Sequence, residues 1–183
     1  MNSSISYTGK SSYKYVERLL RESRELLIVS PFIDAYYAKM LRSCGSRKRI
    51  RIISSSIDAM ARKLLETGRP IGPFLSLLFL IAAFDYLAYL LSFLLVYILP
   101  ASAIIVLIAF AAMLNNDNHI ELKVPKEFVH AKMYISDREC ILGSANLTYR
   151  GMHLNTEHIE VKKDAVEVDR LRSEFWKIWR SAE

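Results

Sequence analysis

His130 and Lys132 stand two positions apart in the segment VHAKMYIS. On an extended strand, side chains i and i+2 share a face, so the imidazole and the ammonium point the same way. Val129, Ala131, Met133 and Ile135 are small or apolar and suit the opposite, packed face. A turn at Asp137-Arg138-Glu139 returns the chain along a second strand, which delivers Gly143, Ser144 and Asn146 beside the first. An imidazole able to attack, a cation, a hydroxyl and an amide would then meet on one spot. Those are the groups needed to grip a phosphate and displace one of its esters.

In order, His130-x-Lys132, four residues, Asp137, then Gly143-Ser144-x-Asn146 resembles the HKD signature of the phospholipase D superfamily. The family usually has six residues between the aspartate and the glycine; here there are five, Arg138 to Leu142, which shortens the hairpin. The segments LLIVSPFID and RIRIIS nearer the N-terminus are similar to that family as well. The resemblance implies roles. His130 is the nucleophile that forms a phosphohistidine, a covalent intermediate that divides one hard displacement into two easier ones. Lys132 and Asn146 hold the non-bridging oxygens, and Ser144 adds a hydrogen bond. Glu157, eleven residues beyond Asn146, orients the imidazole. Asp137 is counted with this set, with a structural role in the turn. No metal or cofactor is implied. A single copy of the motif implies a homodimer whose two motifs meet across a two-fold axis.

The elements that must position these residues are legible in the periodicity. Ser11 and Ser12 are suited to cap a helix running to about Glu25. Leu26 to Val29 reads as a buried strand, Ala35 to Arg42 as a helix, Arg49 to Ser54 as a strand with one wet face, and Ile57 to Glu66 as a helix. His119 to Val124, Val129 to Ser136, Cys140 to Gly143 and Glu157 to Lys162 read as strands. Asp164 opens a last helix with Val168, Leu171, Phe175 and Ile178 in one stripe and Trp176 and Trp179 beside it. The expected fold is α/β, a phospholipase D-like mixed sheet flanked by helices. His119, His153 and His158 fit no pattern and are placed on the surface or in a substrate groove. Cys44 and Cys140 have no metal-ligand spacing and are expected to be free thiols.

Between the helix ending near Glu66 and the strand at His119, the composition changes abruptly. From Ile71 to Leu114, 44 residues, the only charged side chain is Asp85. All 25 Lys and Arg and 18 of the 19 Asp and Glu lie outside that run, so the remainder carries +7 against +6 for the 183-residue whole. One helix of that length would be roughly twice the hydrocarbon thickness of a bilayer. Two crossings fit better, and they predict a transmembrane helical hairpin over 71–114. It would interrupt one catalytic domain, with 1–70 as its N-terminal part and 115–183 as its C-terminal, HKD-bearing part. Pro100 is the expected break between the helices, with Ser92 as an earlier alternative. Both ends of the run must leave the membrane on one face. Arg62, Lys63, Arg69, Lys123 and Lys126 flank it, so the catalytic part is expected in the cytoplasm. Asp85 is costly near mid-bilayer unless it faces a partner helix. The N-terminus lacks the apolar core of a signal peptide and is read as mature sequence.

Disordered chains and disulfide scaffolds are excluded by this composition. Three functions are compatible with the rest. The first is a membrane-anchored, metal-independent phosphodiesterase acting on nucleic acid. The second is a phospholipase D or cardiolipin hydrolase or transferase acting on membrane phospholipid. The third is a non-catalytic membrane scaffold. Basic surface suits nucleic acid and anionic lipid equally.

Overall fold

The computed structural model describes residues 4–45, 48–66, 72–90, 95–114 and 119–182. The chain divides into two compact units. One is Met1–Thr67 together with Asn118–Glu183, and the other is Gly68–Asp117.

The first unit is a mixed sheet covered on both faces. Its strands are β1 (Ser4–Gly9), β2 (Glu25–Val29), β3 (Phe32–Ile33), β4 (Arg49–Ile53), β5 (Ser56–Ile57), β6 (Ile120–Lys123), β7 (Met133–Ile135), β8 (Cys140–Gly143) and β9 (Glu157–Lys162). Its helices are α1 (Tyr13–Glu22), α2 (Ala35–Gly45), α3 (Ala59–Glu66) and α6 (Ala165–Ser181). Seven strands form the main sheet in the order β1-β9-β8-β7-β2-β4-β6, and β3 and β5 form a small parallel pair. β2, β4 and β6 are parallel, whereas β7 runs antiparallel to β2 and the ladder continues antiparallel through β8 and β9 to β1.

The four apolar residues of β2 explain why it sits near the centre. A strand buried on both faces reads as a continuous apolar run. Leu26 and Ile28 pack with Val16, Leu19 and Leu20 of α1, Tyr37, Ala38 and Leu41 of α2, and Ala61 and Leu65 of α3. Leu27 and Val29 face the other way, onto Val168, Leu171 and Phe175 of α6. Trp176 and Trp179 extend that second layer, each with a cation over its ring: Arg51 at 4.9 Å and Lys123 at 5.1 Å. Asp164 caps α6 by accepting from the Glu167 amide at 3.1 Å. Lys48, buried, donates to the Leu20 and Arg21 carbonyls at the end of α1, at 2.6 and 2.8 Å. Burial lowers its pKa. Both cysteines are free, and burial pushes the Cys140 thiol up to about 11.

The topology fixes where a site can be. Parallel strands align their carboxyl ends, and the loops beyond those ends form the usual binding edge of an α/β sheet. Ser30 to Asp34, Ser54 and Ser55, and residues 124–132 all lie beyond the carboxyl ends of β2, β4 and β6. α3 carries the chain back from β4, and β6 begins at Ile120, paired with Ile50 at the start of β4.

That second unit is a pair of helices, α4 (Gly72–Leu90, 19 residues) and α5 (Leu95–Leu114, 20 residues). They pack antiparallel: Phe74 lies 6.3 Å from Phe110, and Leu80, Ile81 and Phe84 line one cavity with Ala101, Ser102 and Ile105. Large apolar side chains face outward on both, among them Leu75, Phe79, Leu80, Phe84, Leu107 and Ile108. Asp85 Oδ1 is buried without a hydrogen-bond partner. The expected pair of transmembrane crossings is not carried by these residues. Among the described residues, no helix is long and apolar enough to cross a membrane.

Other expectations are corrected too. Pro100 does not break the hairpin; it lies within α5, at its sixth residue, where the helix continues without one hydrogen bond. The alternative break at Ser92 lies outside the described residues. Ser12 does not cap α1 with its side chain; it is buried and donates to the Met152 carbonyl at 3.2 Å. The strand expected over Val129 to Ser136 is only Met133–Ile135, because the Ser55 hydroxyl captures the Val129 amide at 2.8 Å and holds that segment off the ladder. β1 has no counterpart among the expected elements. SISYTG has few apolar residues, and its pairing with β9 defines it.

Candidate active site

His130 and Lys132 lie on the segment entering β7, at the carboxyl end of β2, since Met133 pairs with Val29. The sheet's chemistry starts with a buried amine. Lys132 is 7% exposed, and its described hydrogen bonds all run to His130. Nζ is 3.1 Å from both ring nitrogens and 2.8 Å from the His130 carbonyl oxygen. Burial lowers the Lys132 pKa, and the nearby Glu157 carboxylate opposes that shift. The imidazole itself is exposed, with Phe128 at 6.1 Å between ring centroids.

The returning strand places the second half of the set. Gly143 is required by close approach: a Cβ there would collide with the His158 carbonyl oxygen and with Ile159. With no side chain, β8 and β9 close up. The Ser144 amide then donates to the His158 carbonyl at 2.9 Å, and Ser144 Oγ accepts from the His158 amide at 3.0 Å. The same hydroxyl donates to Glu157 Oε2. Glu157 is buried, and its Oε1 accepts from Asn155 Nδ2 at 3.1 Å. Its described hydrogen bonds therefore go to Ser144 and Asn155. The expected bond from Glu157 to the imidazole is not among its described hydrogen bonds, which hold Ser144 and Asn155 instead.

Asn146 follows on a loop held from three directions. Tyr134 Oη donates to the Ala145 carbonyl at 2.7 Å, Ser30 Oγ accepts from the Leu147 amide at 2.9 Å, and the Asp34 amide donates to the Leu147 carbonyl at 3.4 Å. Asn146 Oδ1 is buried with no hydrogen-bond partner. A buried, unpartnered amide oxygen normally costs stability, so this position is not explained by the fold alone. Beyond it a π turn, Arg150–Leu154, links the loop to β9.

Five of the six expected residues, His130, Lys132, Ser144, Asn146 and Glu157, thus come to one end of the sheet. Asp137 does not. It sits at the opposite end of the β7–β8 hairpin, where its carboxylate accepts from the Arg24 amide at 3.4 Å and pairs with Arg138 at 3.5 Å. Ser136 closes that turn, accepting from the Arg138 and Glu139 amides. The residues that the sequence reading missed are the supports: Ser30, Asp34, Ser55, Tyr134 and Asn155. Ser30 and Asp34 follow β2 directly, and small polar residues there are ready-made partners for loop amides. Nothing in the pattern ties Tyr134 to the Asn146 loop. Of the unassigned histidines, His153 stacks between Tyr13 and Tyr149 at 4.2 and 4.6 Å, and His158 bonds Thr8 at 2.8 Å. Among the described residues, no group of three His, Cys, Asp or Glu could hold a metal ion.

Residues 97–179, which contain all six of these positions, match the family model described as Cardiolipin synthase, PLD-like domain. No curated protein sequence matches significantly. Solved structures do. NucT from Helicobacter pylori superposes with a TM-score of 0.60 at 13% identity, over 99% of this chain and 98% of that one. A phospholipase D family member, Nuc from Salmonella typhimurium, gives 0.57 at 18% identity, over 99% and 97%. Phosphatidylserine synthase from Haemophilus influenzae Rd KW20 gives 0.52 at 16% identity, over 99% of this chain and 39% of that one. The fold is therefore that of the phospholipase D family.

Proposed function

We propose that this protein is a phosphodiesterase of the phospholipase D superfamily and that its substrate is nucleic acid. One observation carries the reading. A buried lysine, whose described hydrogen bonds all go to an exposed histidine, stands at the carboxyl end of the sheet. Its ammonium is a preorganised donor for a phosphate oxygen, and groups of this kind stabilise developing charge. His130 attacks phosphorus, a P–O bond breaks, and the leaving oxygen takes a proton; water then displaces the histidine. Lys132 and Asn146 bind the non-bridging oxygens. Ser144 and Glu157 hold that arrangement, and the metal-free electrostatics come from Lys132.

An in-line displacement needs a base on one side and an acid on the other. The acid in this reading is His130 of a second copy, so the active unit is a homodimer. In this reading the outward-facing apolar side chains of α4 and α5 rest against a lipid surface without crossing it and hold the catalytic unit on the cytoplasmic side. Helices apolar on every side, with Phe and Leu turned outward, need a solvent other than water.

A phospholipid substrate is the second reading. The cardiolipin synthase family match and the apolar hairpin favour it. The likeness over nearly the whole length of NucT and of Nuc, against 39% of phosphatidylserine synthase, weighs against it.

The test is purified protein in EDTA offered single-stranded DNA, RNA and cardiolipin vesicles in parallel. Cleavage of a nucleic acid without added metal supports the proposal. Hydrolysis of cardiolipin alone would replace it with the second reading, and strict dependence on magnesium would overturn the mechanism.

A further inference from the structure

Resting on the nucleic-acid reading, we infer that four exposed aromatic rings around the site form a stacking platform for unpaired bases. They would make the substrate single-stranded. In the catalytic unit, the aromatic side chains classed as exposed among the described residues are Phe32, Tyr36, Phe128 and Tyr149, at 41, 45, 59 and 45%. Phe32 opens β3 and Tyr36 lies in the first turn of α2, and with Phe128 and Tyr149 they belong to the edge that carries His130. The unit's other described aromatic rings are at least partly buried.

The rings are grouped. Phe128 lies 6.1 Å from the His130 imidazole, and Phe32 lies 6.0 Å from Phe128. Tyr36 and Tyr149 meet edge-on at 5.2 Å, and Tyr149 is backed by the stacked His153. Their backbones are fixed. Ser55 holds Val129, Ser30 donates to the Phe32 carbonyl at 2.9 Å, and Asp34 accepts from the Tyr149 amide. Rings on fixed backbone lose little freedom when a flat partner lands on them.

Proximity selects the partner. Anything attached to a phosphorus that His130 can reach extends across Phe128 within one nucleotide. A base has a π-face whatever its sequence, but in a duplex that face is already stacked on its neighbours. The surroundings suit a polyanion: the unit carries 24 Lys and Arg against 17 Asp and Glu. Aromatic rings beside basic surface are the usual means of holding single strands without sequence preference.

The test compares a labelled single-stranded oligothymidylate with an abasic strand of the same length and charge. Binding is measured by anisotropy in a His130→Ala background, so that neither strand is cut. Phe128→Leu and Phe32→Leu should each weaken oligothymidylate binding about tenfold and leave abasic binding unchanged. Unaltered circular dichroism and melting would confirm the fold. Equal affinity of the starting protein for both strands would overturn the inference, as would equal losses on both in the variants. So would a change in molar mass by light scattering with base-dependent binding intact, which would give these rings to a second copy of the chain. Losses confined to cardiolipin vesicles would give them to lipid. Cleavage by the otherwise wild-type protein is read separately. Cutting of both strands at equal rates sinks only the stacking platform, whereas failure to cut either sinks the proposed function itself.

Discussion

The two ends of the β7–β8 hairpin are built on opposite principles. At the turn, polar groups find partners, with Arg18 Nε the exception. Ser136 Oγ bonds two amides and the Glu139 carbonyl, and its own carbonyl accepts from Arg172 at 2.9 Å. Glu25 takes Arg172 on one oxygen and Arg51 on the other, the latter at 3.2 Å. Glu139 accepts twice from Arg18, at 2.7 and 2.9 Å. At the other end, three or four residues along the same strands, Lys132 is buried against a histidine and Asn146 Oδ1 has no partner. One end spends its polar groups on the fold, and the other withholds them. Substitutions should therefore separate cleanly into those that cost activity and those that cost stability.

The largest effect is expected at His130. His130→Ala should reduce turnover by about 10⁴-fold or more while the melting temperature stays within error, because the ring is exposed. A variant that keeps most of its activity, or one that melts early, would erase the contrast between the two ends.

Lys132→Met comes next and sharpens it. Activity should fall roughly 10²- to 10³-fold. Stability at neutral pH should hold or rise, because burial disfavours the charged amine. The sign follows from proton linkage. With its folded pKa below the usual lysine value, Lys132 binds fewer protons folded than unfolded between those two values, so stability rises with pH through that window. Chemical denaturation across alkaline pH should show this rise in the wild type and lose its Lys132 component in Lys132→Met. A fall in wild-type stability through the window would mean that the ammonium is stabilised in the fold.

At the turn the expectation reverses. Ser136→Ala removes a hydroxyl that bonds two amides and a carbonyl, and should cost about 1–2 kcal/mol. Activity per folded molecule should not change. Urea melts paired with active-site titration separate the two quantities, and a drop in specific activity would show that the turn acts on the site. Smallest of all, Arg21→Ala removes an exposed pair with Glu17 at 3.5 Å and should change stability by no more than about 0.5 kcal/mol. A larger loss would mean that Glu17, which also accepts from Tyr37 at 3.1 Å, depends on it.

What the sequence disclosed tracks the same division. β2, β4, α2 and α6 were legible because their burial repeats with the period of the element: LLIV for a strand covered on both faces, and Val168, Leu171 and Phe175 for a helix covered on one. β1 and the short extent of β7 were not legible, because they are decided by partners far along the chain, β9 in one case and Ser55 in the other. The residue types of the site were visible in order along the chain. Glu157's choice of Ser144 over His130 was not, since it turns on how closely β8 and β9 approach at Gly143. Pro100 misled because a proline past the first turn weakens a helix without always ending it, and α5 runs through it.

The antiparallel packing of α4 against α5 has a consequence for how the chain folds. β2 pairs with β7, so Leu27 must find Ile135 across the whole insertion. Bringing together the ends of a flexible segment costs entropy that grows with its length. Here Phe74 rests near Phe110, so the insertion delivers its two ends side by side once its helices have paired. To the sheet, the intervening residues then count as a short connection. Extending both helices by matched turns should leave the sheet's folding rate almost unaltered, whereas separating them would slow the step that joins β6 to β4 and brings His130 to its place.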